Sequence, residues 1–255
     1  MTAPNDRMSK LIERAGQAIG RVSSLLEQAG VKAGVGVDEA RAKADRMRVS
    51  PLADWAQPFA AASAMPANFS IREVPFVTQI IVRGNAGDAA FAAGLRSALG
   101  RDLLPGANTW TGTPETSVIW LGPDELMVTA PAGRNDTMTA LLRNSLRSLH
   151  FSVSDLSANR TVIEIAGKHA RAVLAKGCPL DLNAAAFPPP HCAQTLLAKS
   201  QILLQCLDAR PLLRLFVRLS FAPYVAEWLM DAAAETGASH ALDTDRIATR
   251  LNRNQ

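Results

Sequence analysis

SANRTVIEIAGKHARAVLAKGCPLDLNAAAFPPPHCAQTLLAK, residues 157–199, is the stretch whose reading decides the fold. Residues 161–165 are β-branched except for Glu164, the composition of a strand, and Gly167 ends it. Residues 168–176 place Ala170, Val173 and Leu174 on one helical side, and Gly177 followed by Cys178-Pro179 is the expected stop. The loop Pro188-Pro189-Pro190 leads to a pair of strands over 193–198 and 201–207. Strand, helix and paired strands in that order predict an α+β unit with its helices on one face of a mainly antiparallel sheet.

Working outward, the same order occurs upstream. IIVRGNAGDAAFAAGLRSALG is again a strand, a glycine and a helix, with Asp88 placed to cap the helix. Residues 117–121 and 125–130 form a hairpin around Gly122-Pro123-Asp124, and Asn135-Asp136 are positioned to cap a further helix. Residues 103–116 read as a loop, 150–156 as a strand, and 212–221 as another. Pro223 opens a last amphipathic helix bearing Val225, Trp228 and Leu229. The chain therefore reads as two related split-βαβ modules, 71–156 and 157–236, preceded by a linker over 49–70 rich in proline and followed by a polar tail over 237–255.

Residues 1–48 differ in composition. Met8, Ile12, Ala15, Ile19, Val22, Leu26 and Ala29 alternate in steps of four and three, the rhythm of an amphipathic helix with one apolar seam. This N-terminal helical extension is expected to be a docking helix or a partly ordered arm, and Gly30, Gly34 and Gly36 stop it.

Composition narrows the classes. A chain of 255 residues with 48% hydrophobic and 20% charged residues has a globular balance. Its net charge of +4 is scattered and no aromatics interleave the basic residues, which argues against nucleic-acid binding. Three cysteines make no disulfide framework, and no run reaches the roughly 20 apolar residues a bilayer requires. A cytoplasmic, soluble protein without a membrane role is expected.

Chemistry-bearing residues do not converge. His191 and Cys192 are adjacent on an extended segment, so their side chains point to opposite faces. Cys178, Cys192, Cys206 and His191 lack the close-pair spacing of a structural zinc site. Gly84-Asn85-Ala86-Gly87 lacks the dinucleotide-binding spacing. Asp155 and Glu164 invite an acid/base reading, while Asp155 at a strand end is better placed to bond nearby backbone. No catalytic, cofactor-binding or metal-binding residue is assigned; Arg160, Lys176, Pro188, Pro189, Pro190 and His191 are the expected partner-docking residues.

Several ordered motifs resemble one family. DLSANRT (155–161), LAKGCPLDL (174–182) and FPPPHCAQTLLA (187–198), with SPLA (50–53), PFVTQ (75–79), PGANT (105–109) and WLGPDE (120–125), are similar to the gamma subunit of heterotetrameric sarcosine oxidase over about 50–235. The resemblance implies a noncatalytic subunit with the aminomethyltransferase-type folate-binding fold. It implies alpha (large flavoprotein), beta and delta partner subunits holding FAD, FMN, NAD, zinc and tetrahydrofolate, in a complex that oxidatively demethylates sarcosine or a related N-methyl amine. A gamma subunit of an N-methylglutamate dehydrogenase-like enzyme is the close alternative. A stand-alone folate-dependent aminomethyltransferase-like protein is one from another class, and an iron–sulfur assembly protein is a further one. The last is carried by Lys176-Gly177-Cys178, which here continues Pro179-Leu180-Asp181 instead of that family's aromatic residue and Gly-Gln-Glu. The family usually begins near Ser50, so 1–48 is read as an extension, with Met47 an alternative start.

Overall fold

The computed structural model describes residues 48–65, 67–100 and 104–235. The expected heptad helix of the N-terminal extension and the polar tail over 237–255 lie outside the described residues.

In the first half, strand β2 (Thr78–Arg83) is followed by helix α2 (Ala89–Leu99), strands β3 (Trp110–Gly112), β4 (Ser117–Gly122) and β5 (Glu125–Ala130), helix α3 (Asn135–Leu146) and strand β6 (Ser152–Asp155). In the second, β7 (Arg160–Ala166) is followed by α4 (Ala170–Ala175), β8 (Cys192–Leu197), β9 (Ser200–Asp208), β10 (Leu212–Arg218) and α5 (Ala222–Ala233). Ahead of both stand α1 (Ala56–Ala62) and β1 (Ser70–Val74). The strands form two five-stranded sheets, ordered β3-β4-β5-β2-β6 and β8-β9-β10-β7-β1, and their pairings are antiparallel.

Those two orders make the expected repeat visible. Each half runs strand, helix, three strands, helix, and the strand orders of the two sheets correspond until the last edge. In the first half that edge is β6, the strand following α3; in the second it is β1, which pairs with β7 from upstream of the first half. Residues 70–74 thus complete the second sheet, so its strands come from both sides of residues 75–156. The linker expected over 49–70 contains α1, whose Phe59 and Ala62 are buried in the core under this sheet.

Strand residues alternate between two faces. Ile80 and Val82 of β2 pack with Phe91 and Leu95 of α2 and Leu142 and Leu146 of α3. Ile163 and Ile165 of β7 pack with Val173 of α4 and Val225 and Leu229 of α5. The opposite faces meet each other: Ile81, Ile119 and Met127 form one cluster with Val162, Leu203 and Phe216. Helices cover the outer faces of a two-sheet sandwich, and burial on both faces explains why the strands read as near-continuous apolar runs.

The helix ends expected from local chemistry are found at α2 and α5 but not at the start of α3. Asp88 Oδ1 accepts from the Ala90 amide at 2.8 Å, and Gly100, with φ of 73°, closes α2 in the left-handed conformation. Pro223 lies in the first turn of α5 as expected. At α3 the cap position is Arg134, which makes no side-chain cap bond, and Asn135 Nδ2 instead donates to Asp155 Oδ2 at 3.0 Å. Two further differences are short: β3 lies inside the stretch read as a loop, and the strand expected over 212–221 ends at Arg218, followed by a 3₁₀ turn at Leu219–Phe221.

Candidate functional site

The sheet-to-sheet layer holds most of the buried polar side chains. At its centre of charge is Glu164 on β7, directly opposite Arg72 of β1 on one side and Arg214 of β10 on the other. Arg214 donates to Oε1 from Nε at 3.0 Å and from Nη2 at 2.5 Å, and Arg72 donates to Oε2 from Nε at 2.9 Å. Arg214 Nη1 reaches across to the carbonyl of Pro114, in the turn between β3 and β4, at 2.7 Å. The carboxylate is consumed by two guanidinium groups. Asp155 belongs to the other sheet, where its Oδ1 accepts from the Ser157 amide at 2.9 Å. The acid/base pair considered from sequence is not brought together.

The proline loop binds the two sheets to one another. The Trp110 amide donates to Pro190 O at 2.9 Å, the Cys192 amide to Asn108 O at 2.8 Å, and the Trp110 indole to Cys206 O at 2.8 Å. Thr109 and His191 form an isolated antiparallel bridge, and His191 Nδ1 lies 2.8 Å from Pro188 O. Cys192 is buried, and its Sγ donates to Thr109 O at 3.2 Å. Burial pushes this thiol up to about 12, so it is not a nucleophile near neutral pH. Burial also raises Cys206, against the opposing influence of Arg171. Among the described residues no group of three or more His, Cys, Asp or Glu side chains is arranged to hold a metal ion.

Lys176 sits elsewhere, at the end of α4. Its Nζ donates to Ala232 O in the last turn of α5 at 2.6 Å and to Glu235 Oε2 at 2.7 Å. A cation among the terminal carbonyls of a helix is favourable. Lys176 therefore ties α4 to α5, and the same amine holds the Glu235 carboxyl below the usual carboxylate range.

Arg160 begins β7 on the sheet-to-sheet face, with Arg218 of β10 directly opposite. Burial, then the neighbouring Arg218 charge, pulls the Arg160 guanidinium below its ordinary value. Both arginines line a recess of roughly 350 Å³ together with Pro179, Gln194 and Gln201. A larger and mainly apolar recess of roughly 690 Å³ lies along α1 and β1, between Phe59, Ala60, Ile71 and Ile165, with Arg72 and Glu73 among its lining. The six residues expected to dock a partner are thus distributed over three places: the Arg160 recess, the α4–α5 junction and the proline loop.

Sequence reasoning missed Arg72, Arg214 and Arg218. Arg214 lies in an otherwise apolar run, Leu212-Leu213-Arg214-Leu215-Phe216-Val217, where a charge demands a buried partner. That run carried the signal, although the partner's identity required the register.

Residues 83–235 match the sarcosine oxidase, gamma subunit family. The chain is 37% identical over 190 residues to the sarcosine oxidase subunit gamma of Corynebacterium sp. (strain P-1), covering 74% of this chain and 91% of that protein. Identity to the corresponding subunit of Corynebacterium sp. (strain U-96) is 36% over 198 residues, or 76% of this chain and 94% of that protein. Among solved structures, one chain of the heterotetrameric sarcosine oxidase from Corynebacterium sp. U-96 in complex with pyrrole 2-carboxylate is similar, with a TM-score of 0.68 and 34% identity. That alignment covers 76% of this chain and 99% of the other. The α+β fold of two antiparallel sheets agrees with these matches, which span 91–99% of the relatives' length, and this chain belongs to the sarcosine oxidase gamma subunit family.

Proposed function

We propose that the chain is a noncatalytic, gamma-type subunit that assembles and stabilises a heterotetrameric sarcosine oxidase-like flavoenzyme. The observation that carries this reading is the similarity along 99% of one chain of a heterotetrameric sarcosine oxidase. In the proposed complex, alpha, beta and delta subunits hold FAD, FMN, NAD and zinc. They oxidatively demethylate sarcosine or a related N-methyl amine and pass the one-carbon unit to tetrahydrofolate.

The side chains here fit a rigid docking body. Glu164 is neutralised by two arginines, Cys192 is held protonated, and the polar groups of the proline loop are spent on joining the two sheets. A body whose internal contacts are satisfied this way presents its outer surface with little rearrangement. Arg160, Lys176, Pro188, Pro189, Pro190 and His191 are proposed to face or support the partner surfaces.

Purifying the tagged full chain from its own host tests this. A large flavin-containing chain and two further chains are expected to co-purify, and the separated gamma-type chain is expected to show no flavin absorbance. Oxidation of sarcosine by the separated chain, or its isolation without any partner, would overturn the reading.

A further inference from the structure

Resting on that reading, we propose that Arg160 and Arg218 receive a carboxylate from an acidic side chain of a partner subunit. The two residues are paired in the β7–β10 register, so their side chains leave the same face as direct cross-strand neighbours. Like charges in that position repel each other. Arg160 Nη1 is buried and has no hydrogen-bond partner among the described residues, a costly state for a charged donor. Glu125 is the carboxylate whose charge reaches Arg160, yet its Oε2 is bonded to Arg83 at 2.5 Å. An arriving carboxylate would relieve the repulsion and give the partly buried Arg160 guanidinium a counter-charge, and guanidinium groups are suited to planar carboxylates.

The surroundings select a protein as the source. Leu196, which lines the same recess, is 46% exposed, and Gln194 and Gln201 on its walls supply uncharged polar groups. Directly after Arg218 the chain turns through Leu219–Phe221, with Phe221 41% exposed, and the Leu219 amide donates to Asn159 O at 3.1 Å, which keeps that turn beside Arg160. Arginine and aromatic groups next to exposed apolar surface are the composition of a protein interface core. The occupant is therefore an Asp or Glu side chain flanked by apolar residues.

The test compares full-length chains carrying Arg218→Glu, Arg218→Gln or Arg160→Gln with the wild type, each co-expressed with the partner subunits. Arg218 is exposed, so its variants keep the fold even if Arg160→Gln does not, and the thermal midpoint of each separated chain verifies this. Arg218→Glu is expected to lower recovery of the complex on the order of tenfold, Arg218→Gln less, with the wild-type recovery falling as salt rises. Wild-type recovery by a folded Arg218→Glu chain would overturn the carboxylate site and leave the gamma-subunit reading intact. Failure of the wild type to recover partners would bring down both. In a parallel arm, inorganic phosphate is added to the separated chain. A saturable rise in its thermal midpoint that Arg218→Glu abolishes, with complex recovery unchanged, would assign the recess to a free anion and overturn the proposal.

Discussion

Arg214 and Glu164 form a two-point ion pair between neighbouring strands, Nε and Nη2 lying 3.0 and 2.5 Å from the same Oε1, with side-chain exposures of only 6% and 3%. A pair so deeply buried gains its value from the partner each group would otherwise lack.

Breaking it on one side is therefore expected to be worse than removing it altogether. Arg214→Met should destabilise the fold by about 3–5 kcal/mol, because Glu164 keeps a buried charge with only the more exposed Arg72 beside it. Arg214→Met combined with Glu164→Leu should cost less than the single change. Urea unfolding of the three chains gives the comparison, and a double variant less stable than Arg214→Met would contradict it.

Cys192 makes stability fall at alkaline pH. Its folded-state value, about 12, lies above the ordinary thiol value of 9.0, so the fold favours the neutral form. That contribution is complete below about pH 9 and is lost as pH rises towards 12. Cys192→Ala should flatten the decline of the unfolding free energy over this window. At pH 8, alkylation of Cys192 by iodoacetamide should be on the order of 100-fold or more slower in the native chain than in guanidinium, read by peptide mass spectrometry.

Two glycines with positive φ should respond differently to alanine. At Gly167 a Cβ would lie 2.6 Å from Asn68 O and 2.9 Å from the Phe69 amide, both backbone atoms that cannot swing away. Gly167→Ala should cost about 2–4 kcal/mol, the strain of left-handed backbone plus an overpacked contact. At Gly100 no atom of the described residues lies within 4 Å of the added carbon, so Gly100→Ala should cost only about 1–2 kcal/mol. Equal midpoints in thermal unfolding would refute the distinction.

Trp110→Phe removes an indole donor while keeping an aromatic ring in the layer between the sheets. Its lost partner, Cys206 O, is reached across the two sheets at 2.8 Å. The change should cost about 1–3 kcal/mol for a buried acceptor left unsatisfied. Loss confined to one sheet would appear as separate transitions by fluorescence and far-ultraviolet circular dichroism; a single shared transition is expected.

Local chemistry written in the sequence determined the alternation of strands and helices, the Asp88 cap, the Pro223 start of α5 and the two-module repeat. It also separated His191 from Cys192, since neighbours on a strand face opposite ways. These are properties of short windows, set by side-chain periodicity and backbone preference. Only the tertiary structure decided which strand closes the second sheet, because pairing Ile71 with Ile165 depends on contacts nearly a hundred positions apart. It likewise turned the proline loop into a brace between sheets and brought Arg72 and Arg214 to Glu164. Arg160 was legible as a charge; its opposition to Arg218 was not, because register across β7 and β10 is fixed by which faces the sheets bury.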